Sequence, residues 1–332
     1  MKAVVVTAPS QDGQNPTLSW QDVPDPAIGP GEVLLEVTAS AVNRADLMQA
    51  QGQYPPPPGA SDILGLECSG RIVEIGTDVT GWEIGQDVCA LLAGGGYAQR
   101  VAVPAAQLLP LPTGVDLLHS AALPEVACTV WSNLVMLGGL RDGQTLLVHG
   151  GSSGIGTMAI QVGRALGAVV AVTASRATSL EACRELGAEI GINYRDEDFV
   201  EALRAATQGR GADLILDVVG AKYLSRNVSA LADGGTIVVI GMQGGRTAEL
   251  DLGALLAKRG RIAATALRSR PVTGTGSKGD IVDAVTRHLW PLIADGSVRP
   301  VVDSVFDAAD AQAAHQRVAE GGHVGKVLLR MP

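Results

Sequence analysis

Apolar residues in the first third of the chain come in short runs, Ala3–Val6, Val33–Val37, Ser69–Ile75, Val88–Leu92 and Ala98–Val103, separated by glycine and proline. Runs of this length between such breakers predict the strands of an irregular β-rich unit. Tyr54 is followed by Pro55–Pro58 and Gly59, a stiff loop that reads either as a spacer or as a rigid lip over a cleft. Beyond Ser120 the pattern changes. Ser120–Leu137 predicts a helix, and from Thr145 short apolar runs alternate with segments of helical spacing. Strands are predicted at Leu146–Val148, Val169–Thr173, Ile190–Ile192, Leu214–Val218 and Thr236–Ile240. Helices are predicted at Thr157–Leu166, Leu180–Leu186, Phe199–Thr207 and Leu224–Leu231. This alternation is the mark of an α/β fold with a parallel sheet covered on both faces. Ile262–Leu267 predicts an edge strand, Ile281–Ile293 a helix, and Val327–Arg330 a last strand returning to the first unit.

Length and composition narrow the class. With 332 residues, two domains are expected. A hydrophobic share of 46% against 18% charged residues excludes a disordered chain. The net charge of −9 argues against a basic face for nucleic acid or anionic lipid. Cys68, Cys89, Cys128 and Cys183 are dispersed and form no C-x-x-C pair, which fits a reducing compartment. The opening Met1–Val6 run is short and soon interrupted by Pro9, so it does not read as a signal peptide. No apolar run reaches the roughly 20 residues of a membrane span, and a cytoplasmic location is expected.

The strongest chemical signal follows the strand Leu146–Val148. There, His149-Gly150-Gly151-Ser152-Ser153-Gly154-Ile155-Gly156 leads into a helix. A diphosphate needs bare backbone N–H groups, close approach and the positive end of a helix dipole, and this strand–turn–helix context supplies all three. The pattern departs from plain G-x-G-x-x-G in having Ser153 at the middle glycine, so Gly151, Gly154 and Gly156 carry the turn. Which dinucleotide it takes is read at the end of the second strand. An NAD site places Asp or Glu about 20 residues after the first glycine, to bind the ribose hydroxyls. This chain has Thr173-Ala174-Ser175-Arg176, with Ser179 following and no carboxylate before Glu181. A hydroxyl beside an arginine suits a 2′-phosphate, and Tyr194 offers another hydroxyl, so NADPH is the expected cofactor. The plainer reading of Arg176 is a solvated surface charge.

Zinc would polarise a carbonyl in such an enzyme. The four cysteines show no ligand spacing with His119, His149, His288, His315 or His323, and no metal is expected.

Taken together, several segments resemble the zinc-free quinone oxidoreductases of the medium-chain dehydrogenase/reductase superfamily, the zeta-crystallin-like group. They are Val42–Leu47, Gly52–Pro55, Leu64–Gly70, Gly76 through Gly85–Val88, the glycine turn and Asn193-Tyr194. Arg44–Met48, Gln51–Tyr54, Leu267–Arg270 and Gly325–Val327 are similar to the inducible quinone oxidoreductase subfamily. The resemblance implies a GroES-like catalytic domain over residues 1–125 and 267–332 and a Rossmann NADPH-binding domain over 126–266. It implies a cleft between them for NADPH and a homodimer joined through the Rossmann edge strand. Zinc alcohol dehydrogenases of the superfamily place ligands where this chain has Asn43, Leu66 and Glu125, and the cysteine-rich zinc lobe is missing between Gly85 and Gln99.

The resemblance also assigns roles. Tyr54 is the candidate proton donor, though a loop tyrosine beside prolines has a plainer reading. Asn43 and Asp46 sit where the family has a polar pair, and Asp46 reads equally as a helix N-terminal charge. Ser153 is placed to face the substrate or the nicotinamide. Thr129, Val219, Gly220, Gly241, Met242 and Leu267 line the cofactor groove, and Lys326 reaches toward the cofactor phosphates. The expected reaction is reduction of a small conjugated quinone, by hydride or by single electrons. Reduction of an alkenal or enone double bond is the alternative within the fold. A non-catalytic NADPH-binding or RNA-binding protein is a third, which the acidic balance disfavours.

Overall fold

The computed structural model describes residues 1–7 and 16–332. It contains two compact units. The first comprises Met1–Cys128, Leu267–Asp295 and Pro300–Pro332, the second Thr129–Ala266 and Gly296–Arg299.

The first unit is organised around the eleven-residue strand Glu32–Val42. One edge pairs with Glu67–Ile75 from Val33 to Ser40, while on the other the first half pairs with Arg100–Pro104 and the second half with the C-terminal strand Lys326–Arg330. Register shifts between Leu34 and Leu35 and between Val37 and Ala39 bend the strand so that it can serve all three partners. Val302–Asp307 extends the sheet beyond Lys326–Arg330, and Asp87–Leu91 and Leu108–Pro110 extend the other side. Alternate residues Val33, Leu35 and Val37 turn into one core with Ile72, Val88, Val103 and Leu329. Each such side chain contributes about 1.5–3 kcal/mol by leaving water.

The second unit is a six-stranded sheet, parallel throughout. Its strand order is Ile190–Asn193, Val169–Ala174, Thr145–His149, Ala212–Asp217, Leu231–Val239 and Arg261–Ala264. The order reverses between Thr145–His149 and Ala212–Asp217, so a crevice opens beyond the carboxyl ends of those two strands. Continuous apolar runs such as Leu146–Val148 are buried on both faces, as helices on both sides require. Gly296–Arg299 joins this unit through Gln161, whose side chain bonds both the carbonyl (3.1 Å) and the N–H (2.9 Å) of Arg299.

Three predicted elements divide or end early. The helix expected over Ser120–Leu137 is interrupted: Leu117–Ser120, then Pro124–Val130, then a wider π-type segment Trp131–Leu137. Pro124 opens the second piece because proline fits a first turn but not a helix interior. The edge strand ends at Ala264 rather than Leu267, since Thr265 turns its hydroxyl inward to Asn133 (2.6 Å). The helix expected over Ile281–Ile293 divides into Lys278–His288 and Trp290–Ala294, with Pro291 at the start of the second.

His315, 6% exposed on the helix Ala311–Glu320, lies 3.2 Å from the Tyr97 hydroxyl, and that hydroxyl lies 3.2 Å from Asp46. Tyr97 donates to the carboxylate, so its oxygen accepts from the Nε2–H of a neutral His315. Burial pushes His315 down to about 4 from the ordinary 6.5. The unfolded chain therefore takes up this proton first, and stability is lost as pH falls from about 6.5 toward about 4. Asp46, pushed up from 3.8 to about 6 by burial, has the opposite sign, and its contribution is lost as pH rises from about 3.8 toward about 6. Comparison with His315→Gln isolates the histidine. Between pH 7 and pH 5 the wild type should lose about 2 kcal/mol more than the variant, read from urea midpoints. Equal losses would contradict the assignment.

Candidate cofactor and active site

The strand Thr145–His149 ends in a turn that the helix Gly154–Ala165 follows. Gly150 takes a φ of +75°, a conformation that favours glycine, and reverses the chain. The Thr173 carbonyl on the neighbouring strand accepts both the Gly150 N–H (3.1 Å) and the Gly151 N–H (3.0 Å), fixing the turn against the sheet. A Cβ on Gly156 would lie 2.4 Å from the carbonyl oxygens of Gly150 and Gly151, so only glycine lets the helix begin so close to the turn. The N–H groups of Ser152, Gly154 and Ile155 have no acceptor among the described residues. These bare donors at a helix N-terminus fit a diphosphate.

Ser153, expected to face the substrate or the nicotinamide, has a structural role within the turn. Its hydroxyl accepts from the Gly156 N–H (3.0 Å) and donates to the Gly150 carbonyl (2.7 Å), making it the N-cap of the helix.

At the end of Val169–Ala174, Ser175 is half-buried, Arg176 is exposed and Ser179 is buried. The Arg176 side chain has no partner among the described residues, and the nearest carboxylate along the chain, Glu181, is paired with Arg184 at 3.0 Å. The Tyr194 N–H bonds the Ala174 carbonyl (3.2 Å), so this exposed tyrosine stands beside the Ser175-Arg176 step. Val219 and Gly220 direct their N–H groups at Asp217 (2.7 and 3.1 Å). Gly241 lies against the Val218 carbonyl, and Met242 is exposed. Thr129 is buried, its carbonyl accepting from Asn133 (2.7 Å), and Leu267 is also buried.

Two expectations are corrected in the first unit. Lys326 does not extend toward phosphates: it is 5% exposed, with its ammonium 2.7 Å from Glu67 and 2.8 Å from the side-chain oxygen of Asn43. Asn43 also donates to Glu67 (2.8 Å), and the second Glu67 oxygen accepts from the Glu125 N–H (2.9 Å). A buried ion pair this completely hydrogen-bonded is costly to break from one side. Asp46 likewise turns inward. It is fully buried and accepts from the Asn43 N–H (2.8 Å), the Gly65 N–H (3.1 Å) and Tyr97 (3.2 Å), so it fixes the start of the helix Arg44–Ala50 rather than touching substrate.

Tyr54 is half-buried, and its hydroxyl has no partner among the described residues. Arg268 stands 5.2 Å over its ring, donates toward the Tyr54 carbonyl (3.4 Å) and is itself held by Gln49 (2.7 Å) and the Ala93 carbonyl (2.8 Å). Burial pushes the phenol up and the guanidinium pulls it back. Glu67 and Arg268 are functional candidates that sequence reasoning missed. Their charges stand in resemblance motifs, and their burial, 0% and 5% exposed, emerges only from the fold. At the positions of the zinc ligands, Leu66 has no donor atom and Asn43 is engaged. Among the described residues no three His, Cys, Asp or Glu side chains are grouped to hold a metal ion. No helix among them is long and apolar enough to cross a membrane.

A parallel sheet with a glycine turn at its switch point, in a chain that also carries a β-rich unit with a buried polar cluster, defines a nucleotide-dependent oxidoreductase. Residues 29–113 match the family model described as alcohol dehydrogenase GroES-like domain, and 154–278 that described as zinc-binding dehydrogenase. The chain is 30% identical over 315 residues to the synaptic vesicle membrane protein VAT-1 homolog of Rattus norvegicus, covering 92% of this chain and 78% of that protein. It is similar to a solved NAD-dependent alcohol dehydrogenase (TM-score 0.85, 27% identity, 100% of each chain covered). It is equally similar to Escherichia coli quinone oxidoreductase complexed with NADPH (TM-score 0.85, 25% identity, 99% of each). It also matches a phenolphthiocerol/phthiocerol polyketide synthase of Mycobacterium tuberculosis, 28% identical over 302 residues, which are 91% of this chain. The chain spans 14% of that protein's length. The chain belongs to the medium-chain dehydrogenase/reductase superfamily. It has that superfamily's GroES-like and nicotinamide-dinucleotide-binding Rossmann units.

Replacing Gly156 by Val should abolish dinucleotide binding in calorimetry, because the clash is with backbone that cannot yield. Undiminished affinity would mean that the turn is not the diphosphate site.

Proposed function

We propose that this protein reduces small conjugated quinones with NADPH and without a metal. The observation that carries the reading is the Asn43–Glu67–Lys326 cluster. An ammonium occupies the polar environment where a zinc relative would place a cation, and Leu66 supplies no ligand. Carbonyl polarisation then falls to hydrogen-bond donors, and an acceptor that gains aromaticity on reduction suits a site without a Lewis acid. The similarity of Arg44–Met48, Gln51–Tyr54 and Leu267–Arg270 to the inducible quinone oxidoreductases supports the same reading.

The bound cofactor supplies the hydride, and a quinone, that hydride and one proton give a quinol. This chain's residues do the rest. Ser152, Gly154 and Ile155 hold the diphosphate through their N–H groups, and Arg176, Ser175 and Tyr194 receive the 2′-phosphate. Arg268 holds Tyr54 in place, and the free Tyr54 hydroxyl donates the proton to the acceptor oxygen. Burial raises the phenol and keeps it protonated for that transfer, and Arg268 offsets part of the rise. The buried free cysteines fit a reducing compartment, and a cytoplasmic location accords with them.

For a dimer, the edge strand Arg261–Ala264 pairs only with Leu231–Val239 among the described residues, and Leu252 and Leu256 are exposed on the helix just before it. An open edge flanked by exposed leucines favours a second copy. Leu256→Glu should then shift the mass measured by light scattering from dimer to monomer. A wild-type monomer would contradict the proposal.

Turnover of 1,4-benzoquinone and of an enal, side by side with NADPH, tests the substrate class. Quinone turnover that falls at least roughly tenfold in Tyr54→Phe is expected. Activity on the enal alone would move the reading to a double-bond reductase, and activity on neither would leave a nucleotide-binding protein. Arg176→Ala should raise KM for NADPH roughly tenfold or more while leaving NADH unchanged. Equal effects on both would defeat the 2′-phosphate assignment.

A further inference from the structure

Four polar side chains are buried at the carboxyl end of the parallel sheet: His149, Thr173, Asp217 and Asn227, each at most 1% exposed. Three end adjacent strands, Val169–Ala174, Thr145–His149 and Ala212–Asp217, and Asn227 comes from the helix Leu224–Ala230. The strand order reverses between His149 and Asp217, so the group lies at the switch point itself.

Their hydrogen bonds admit one direction. Asp217 accepts from the N–H groups of Val219 (2.7 Å) and Gly220 (3.1 Å) and from the Asn227 amide nitrogen (3.1 Å). A carboxylate only accepts, so Asn227 presents its NH2 to Asp217 and its oxygen to His149. That oxygen, 2.8 Å from Nε2, also only accepts, so His149 carries its proton on Nε2. Nδ1 is then an acceptor and receives the Thr173 hydroxyl at 3.1 Å. Thr173 is the residue whose carbonyl fixes Gly150 and Gly151, and its hydroxyl oxygen lies 3.4 Å from the Gly150 N–H. Phe199 and Tyr223 meet the imidazole edge-to-face, each at 4.9 Å. Burial pushes His149 down to about 4, in keeping with the neutral ring that the chain requires.

We infer that His149 is a positioning residue: the link of fixed tautomer that couples the diphosphate turn to the Val219–Gly220 segment, so that both halves of the dinucleotide meet a preformed surface. The inference rests on the reading of the turn as the dinucleotide site. It adds that turn and segment are one unit, held by Asp217 at one end and Thr173 at the other. Preorganised backbone lowers the ordering cost of binding, so a broken chain should appear as weaker affinity even where the fold survives.

The test is calorimetric titration of NADPH into wild type, His149→Phe, Asn227→Leu, the double variant, His149→Gln and Thr173→Val. His149→Phe keeps an aromatic ring against Phe199 and Tyr223 and removes both hydrogen bonds. His149→Gln retains a donor toward Asn227. His149→Phe and Asn227→Leu should each raise Kd about tenfold. The double variant should be no weaker than either single, because both cut one chain. His149→Gln should recover part of the loss. If His149→Phe does not fold, Thr173→Val, which removes only the hydroxyl, must still raise Kd. Unchanged Kd in folded His149→Phe, unchanged Kd in Thr173→Val, or additive losses of roughly a hundredfold in the double would overturn the coupling. Gly156→Val separates the two claims. If it binds NADPH like wild type, the dinucleotide reading fails and the coupling with it. If it loses NADPH while His149→Phe keeps it, only the coupling fails.

Discussion

One carbonyl group, that of Thr173, accepts the N–H groups of Gly150 and Gly151, and the geometry of the second unit's site depends on that acceptance. Held there, the chain leaves the strand Thr145–His149 with its next donors turned outward and enters a helix whose first N–H groups are free. Ser153 closes the same turn from the other side by bonding Gly150 and Gly156. The apolar sheet beneath fixes where Thr173 lies, because Val170 and Val172 are buried against neighbouring layers. Core packing thus sets the donors' positions to within a hydrogen-bond length before any anion arrives.

The first unit solves a different problem. It buries Asp46, Glu67, Lys326 and Arg268, each of which costs free energy in an apolar interior unless fully partnered. Every one of them is partnered, and the partners are the ends of elements: the first turn of Arg44–Ala50, the strand Lys326–Arg330, and the loops carrying Gly65, Tyr54 and Ala93. The charges therefore define how loops are placed around Tyr54, the group left with a free hydroxyl. A buried polar scaffold beneath one unsatisfied polar group is the arrangement a preorganised proton donor needs.

Much of this was legible in the chain. Alternation of apolar runs with helical spacing yields the parallel sheet, since strands buried on both faces have no polar alternation. The glycine turn and the uncharged Thr173–Ser175 step are local, so their chemistry can be read from neighbours in sequence. Thr17–Asp22 and Val302–Asp307 escaped because each mixes polar residues into a half-buried strand, which resembles a loop. The cap role of Ser153 and the burial of Lys326 were missed for a common reason. The residue types suit phosphate or substrate contact, but a Ser before a helix also caps it, and a Lys reaches whatever carboxylate the fold supplies. For Lys326 that is Glu67, far away in sequence and adjacent only once Lys326–Arg330 pairs with Glu32–Val42. The proton on His149 is similarly invisible, because it is decided by Asp217 through an asparagine on another element.

The decisive measurement is a crystal structure of the protein with NADPH. The diphosphate should lie on the N–H groups of Ser152, Gly154 and Ile155, and the 2′-phosphate on Arg176 beside Tyr194. A cofactor bound with its diphosphate away from this turn, or with its 2′-phosphate in solvent and Arg176 uninvolved, would contradict this assignment.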